Sequence, residues 1–215
     1  MPFSVLSALI AAGFAAANLF CIIFFYQKPA QAFTKICIMP FLALYYALSD
    51  GVFLPAVFAA ALFFWLGDIL FAKRRSTPVI VCGIATFFAG NLCYSVSLSR
   101  FVSFSVGAFL CAVIITAAAL VLIFASIPTA RRFLAAATMF YALSLALLLL
   151  HAAALLVQRR DFASFLIFAG ILCLTVSDIS LARAYRSKAN RLSNFLVMFL
   201  YSASQFCLLT GLSSL

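Results

Sequence analysis

Glutamate is absent from this chain of 215 residues, aspartate occurs four times, and histidine and tryptophan occur once each. Charged residues amount to 8% of the sequence, against roughly a quarter in an ordinary globular domain, so there is too little charge to cover a water-soluble surface. The solvent must be something else. No polar stretch is long enough to fold as a separate soluble domain, and the longest charged interval, Arg183 to Arg191, reads as a loop. Residues 1–215 therefore read as a single transmembrane domain. There is no C-x-x-C pair, and all seven cysteines (Cys21, Cys37, Cys82, Cys93, Cys111, Cys173 and Cys207) fall in apolar runs, where they serve as small packing residues.

What is present is hydrophobic: 68% of the residues, with a mean hydropathy of +1.26. Apolar runs of about 20 residues, the length that crosses about 30 Å of hydrocarbon as a helix, alternate with clusters of lysine and arginine. Eight such runs fit, over 3–25, 30–49, 52–72, 78–98, 104–126, 132–157, 162–182 and 192–213. The expected fold is an all-α, polytopic transmembrane bundle of about eight helices. Met1 to Val5 lacks the basic stretch that opens a secretory signal, so the first run is expected to stay as a helix.

The first, third, fifth and seventh loops hold eleven basic residues, from Lys28 and Lys35 to Lys188 and Arg191, whereas the other three hold only Arg100, Arg159 and Arg160. The positive-inside bias then places both termini outside the cytoplasm and the chain as an integral protein of the cytoplasmic (inner) membrane or an endomembrane. The formal charge of +10 is spread over short loops facing anionic headgroups, so the expected partners are membrane lipids, and no nucleic acid is implied.

Scarcity makes the acidic residues informative. Asp50 and Asp161 lie in loops, but Asp68 and Asp178 lie inside apolar runs, where an unpaired carboxylate costs several kcal/mol. Each is about five residues, or about 7 Å, from the cytoplasmic end of its span, so the two share a level. Lys35, inside the second span from the same side, reaches that layer as well. The plainer reading of Lys35 is a residue at a helix start whose ammonium snorkels to the headgroups. The plainer reading of the aspartates is salt bridging to Lys73 or Arg183.

The third and seventh spans resemble each other, Gly67-Asp68-Ile69-Leu70-Phe71-Ala72-Lys73 against Ser177-Asp178-Ile179-Ser180-Leu181-Ala182-Arg183. Asn91-Leu92-Cys93 and Gln205-Phe206-Cys207 match more loosely in the fourth and eighth. The pattern fits a weak four-plus-four repeat with two carboxylates facing each other across its axis, against the alternative of chance likeness between apolar helices. Asn91 with Tyr94, Thr138 with Tyr141, and Tyr201 with Gln205 each share a helix face and could line a cavity or bond neighbouring helices. His151 lies far from the aspartates in depth and reads as structural. Two aspartates without a nearby histidine give too few ligands for a metal, and no cofactor is expected.

These residues carry a resemblance. Thr34-Lys35 followed by Met39-Pro40, Leu66-Gly67-Asp68, Phe87 through Tyr94, Gly170 with Ser177-Asp178 and Ala182, and finally Tyr201 and Gln205 resemble the pattern of the YhhN family of lysoplasmalogenases. The chain departs from it at Asn91, where a histidine is usual, at Ile36, where a proline is usual, and at Gly170-Ile171, where the pattern has Gly-Ala. The resemblance implies a membrane hydrolase that cleaves the vinyl ether bond of a lysoplasmalogen, a lysophospholipid, to a fatty aldehyde and a glycerophospho-alcohol, with Asp68 and Asp178 as the catalytic pair. One carboxyl would protonate the β-carbon and the other would stabilise the oxocarbenium ion, with either assignment open. Lys35 would favour ionisation of the nearer aspartate or bind the lipid phosphate, and Asn91, Tyr94, Tyr141, Tyr201 and Gln205 would form the hydrogen-bonding wall of the cavity. The alternatives are a proton-coupled transporter using the same two carboxylates, and a non-catalytic lipid-binding member of the family.

Overall fold

A computed structural model describes residues 3–25, 29–72, 76–103, 110, 114, 132–186 and 190–215. These residues form seven helices and no strand: α1 Phe3–Phe24, α2 Pro29–Ala47, α3 Pro55–Ala72, α4 Thr77–Leu98, α5 Arg132–Arg159, α6 Phe162–Arg186 and α7 Arg191–Ser213. Each coincides with an expected span to within a few residues. The remaining span, expected over 104–126, lies outside the described residues except at positions 110 and 114.

Six of the seven are long and apolar enough to cross a membrane, with mean hydropathies of 1.7 to 2.3. The exception is α2, which spends Gln31, Thr34, Lys35, Tyr45 and Tyr46 within 19 residues. Its length, about 28 Å at 1.5 Å per residue, still suits a span. The chain is thus a polytopic helical bundle and an integral membrane protein. Its side chains are arranged accordingly: bulky apolar groups such as Phe20, Phe33, Leu66, Phe140, Phe165 and Phe199 point outward, while Asn18, Asp68, Asn91, Thr175 and Gln205 are buried.

Neighbours in sequence pack as neighbours in space from α1 through α4, α4 packs on α5, and α7 returns to close against α1 and α2. Two pairs are drawn in tightly by small residues. At Gly170 on α6 an added Cβ would lie 2.9 Å from the backbone of α7, at Ser204 O and Leu208 N. At Gly211 on α7 it would lie 2.6 Å from Ile167. In α3 and α4 the fit is reciprocal: Gly67 receives the ring of Phe87, and Gly90 receives that of Phe64. Small residues of this kind let helices approach where lipid offers no hydrophobic drive to associate.

Helix ends are chemically specified. Asp161 Oδ1 accepts the Ser164 N–H at 2.8 Å while the Ser164 hydroxyl accepts the Asp161 N–H at 3.2 Å, a capping box that starts α6. Asn190 caps α7 by accepting the Ser193 N–H at 2.7 Å. Between α5 and α6 the chain reverses in two residues, with Arg160 at φ 53 in the left-handed region. Tyr46 closes the loop after α2, accepting the Leu54 N–H at 2.9 Å and donating to Val52 O at 3.1 Å.

Candidate functional site

Because α3 is turned by its glycine contacts with α4, the next residue after Gly67 faces the bundle interior. Asp68 is 0% exposed. Its Oδ1 lies 3.0 Å from Lys35 Nζ of α2, and its Oδ2 accepts the Tyr201 hydroxyl of α7 at 2.7 Å. The ammonium also lies 5.3 Å from the centre of the Tyr201 ring, a second favourable contact for a cation inside the bundle. Three helices therefore meet on one carboxylate. The plainer reading of Lys35 as a snorkelling residue does not describe this geometry, because its ammonium points inward to Asp68. Of the cations expected to pair with the aspartates, Lys73 lies outside the described residues.

Asp178 on α6 is held differently. Its Oδ2 accepts the Tyr141 hydroxyl of α5 at 2.5 Å, and its side chain is partly exposed. Lys35 is close enough to act on it electrostatically, although its ion pair is with Asp68. Both carboxylates line one cavity that opens to the outside of the bundle. Lys35, Tyr141 and Tyr201 share its wall with them. α6 runs on to Arg186, past the expected end at 182, so the two aspartates are not equally far from their helix ends, yet they reach the same cavity.

Asn91, Tyr94 and Gln205 were expected in the wall and stand behind it. Asn91 Nδ2 donates to Ser144 Oγ at 3.2 Å, and the Ser144 hydroxyl in turn donates to the backbone oxygen of Tyr141. The Tyr94 hydroxyl donates to Gln205 Oε1 at 3.3 Å. The reason is depth: Asn91 lies one turn beyond Phe87 on α4 and Gln205 one turn beyond Tyr201 on α7, and the wall itself is made by Phe64 and Phe71 beside Asp68, by Phe87, and by Leu174, Ser177 and Leu181 around Asp178. Sequence reasoning missed these residues. For Phe64, Phe71, Leu174 and Leu181, spacing of three and four from the aspartates was the available signal. Val197 and Met198, near Tyr201, complete the wall.

The remaining expected residues lie elsewhere. Thr138 bonds back to Leu134 O at 2.7 Å, and His151 Nδ1 lies 2.8 Å from Leu147 O on its own helix, away from the cavity. Among the described residues no three His, Cys, Asp or Glu side chains converge.

Chemically, the cavity offers an ion-paired carboxylate, a second carboxyl with a hydroxyl donor, and an apolar lining that suits a hydrocarbon chain. Residues 30–212 match the sequence profile of the YhhN family. No curated protein and no solved structure matches the chain.

Proposed function

The chain belongs to the YhhN family, and from that premise we propose that it is a lysoplasmalogenase-like hydrolase that cleaves the vinyl ether of a lysophospholipid inside the membrane. The observation that carries the reading is the shared cavity, where two carboxyls in unlike surroundings face the same largely apolar space. Vinyl ether hydrolysis needs a proton donor to carbon and a fixed anion near the oxocarbenium ion that results. Asp68 suits the anion. Its ion pair with Lys35 and its bond from Tyr201 favour the carboxylate form and hold it still. Asp178 suits the acid: among the described residues it carries no ion pair, one oxygen is held by Tyr141, and the residue is partly exposed.

In this mechanism the Asp178 carboxyl gives its proton to the β-carbon, and the electron pair of the ether oxygen forms the oxocarbenium ion, facing Asp68. Water adds to the cationic carbon and returns a proton to Asp178. The hemiacetal then breaks its bond to the glycerol oxygen, giving the fatty aldehyde and the glycerophospho-alcohol. Phe64, Phe71, Leu174 and Leu181 hold the alkenyl chain and limit water in the site. Lys35 is engaged by Asp68, so it acts on the carboxylate in preference to the lipid phosphate.

The test is aldehyde release from ethanolamine and choline lysoplasmalogens by purified protein in detergent. Release that is lost in folded Asp68→Asn and Asp178→Asn variants supports the pair. A folded parent that releases no aldehyde from either substrate overturns the hydrolase reading and directs work to lipid binding or proton-coupled transport.

A further inference from the structure

Behind the cavity wall, α4 and α7 each carry buried polar groups, and the two helices meet where the Tyr94 hydroxyl bonds Gln205. Gln205 lies 14 residues beyond the start of α7 at Arg191, about 21 Å along the helix. Asn91 Oδ1, Gln205 Nε2 and the hydroxyls of Ser95 and Ser202 are all buried without a hydrogen-bond partner, in residues 0 to 6% exposed. Ser95 is four residues from Asn91 and Ser202 three from Gln205, so each pair shares a helix face.

Reorienting the amides does not satisfy them. Asn91 must donate to Ser144, because the Ser144 hydroxyl already donates to Tyr141 O, and its oxygen is then left unpaired. Turning Gln205 would face its Nε2 to Tyr94 and leave Oε1 unpaired instead. The two amides thus present a free acceptor and a free donor, the complement of a water molecule, and the two hydroxyls can serve in either sense.

The group is continuous with both carboxylates. Asn91 bonds Ser144, whose hydroxyl donates to the backbone oxygen of Tyr141, the residue that holds Asp178, and Gln205 lies one helical turn beyond Tyr201, which holds Asp68. We propose that this seam between α4 and α7 is a built water site, with Asn91 and Gln205 as its positioning residues. It rests for its purpose on the hydrolase reading. Each turnover consumes one water in a cavity walled largely by apolar groups: the water oxygen bonds to the oxocarbenium carbon, one of its protons passes to the Asp178 carboxylate, and the glycerol oxygen leaves with the other. The seam supplies that water from behind the carboxylates, so the lipid need not move aside to admit it.

The experiment is radiolytic hydroxyl-radical labelling of the full chain in detergent, read by mass spectrometry, because radicals formed from bound water oxidise the side chains beside it. Tyr46 is the control, since it is equally buried and its hydroxyl is satisfied by Val52 O and Leu54 N–H. Tyr94 is expected to label several-fold faster than Tyr46, and Gln205→Leu to remove most of that excess. Tyr94 labelling no faster than Tyr46 in the folded parent overturns the seam. Should Gln205→Leu fail to fold, the comparison within the parent decides alone. Fast labelling of Tyr94 in a protein that releases no aldehyde upholds the seam and overturns the hydrolase reading. Aldehyde release with Tyr94 unlabelled does the reverse.

Discussion

Asp68 and Asp178 occupy similar heptapeptides and face one cavity, yet their surroundings differ in kind. Asp68 is fully buried, ion-paired to Lys35 and bonded by Tyr201. Asp178 is partly exposed and bonded by the neutral hydroxyl of Tyr141. In each case the partner comes from the helix that precedes the aspartate's own in the bundle, lysine on α2 in one half and tyrosine on α5 in the other. Each carboxylate accepts a tyrosine hydroxyl, and Asp68 has a cation in addition; on the proposed reading that one added cation separates the anion from the acid candidate.

Asp178→Asn should break the comparison most completely. Removing a general acid costs about 10²- to 10⁴-fold in rate, and here it should do so while leaving the melting temperature near that of the parent. A folded variant that keeps its rate removes Asp178 from the chemistry. Lys35→Met should act on stability, because it leaves a buried carboxylate uncompensated at a cost of about 3–5 kcal/mol. Adding Asp68→Asn to Lys35→Met should recover much of that loss in detergent unfolding, whereas adding Asp178→Asn should not. Equal rescue by both would mean that Lys35 serves the two carboxyls alike.

Smaller effects sharpen the same contrast. Tyr201→Phe removes a bond to a charged group and should lower stability by about 1.5–3 kcal/mol, while Tyr141→Phe should show mainly in the aldehyde release rate. A Tyr201→Phe protein that melts like the parent would detach Tyr201 from the ion pair. The smallest effect lies outside the bilayer. The backbone N–H of Ser164, with a lesser contribution from Arg159, holds the Asp161 carboxyl below its ordinary value of 3.8. A lowered folded value means that the capping stabilisation is present above 3.8 and is lost as pH falls through the lowered value. The melting-temperature advantage of the parent over Asp161→Ala should therefore be seen at neutral pH and close in acid. An advantage that persists at the lowest pH would assign it to packing.

Helix positions were legible because hydropathy is additive along the chain. α3 was expected over 52–72 and spans Pro55–Ala72, with proline setting the start. The ends that differ follow physics that hydropathy does not report. Ala182 to Arg186 continues α6 beyond the apolar run because good helix formers need no lipid to stay helical. Asp68 and Asp178 were legible for an equally simple reason, the cost of a carboxylate in hydrocarbon. The places of Asn91, Tyr94 and Gln205 behind the wall were not legible, since they depend on how deep the cavity reaches along α4 and α7.

The sequence alone determined that this chain lives in a membrane, where its helices run, and which two residues are too costly to be there by accident, because each of these follows from local composition and transfer energy. Only the tertiary structure decided that Lys35 turns inward to Asp68, that Tyr141 and not a cation holds Asp178, and that two amides are stranded behind them. Those outcomes depend on helix rotation and spacing, set by contacts such as Gly67 on Phe87 and Gly170 on the backbone of α7, between residues far apart in the chain.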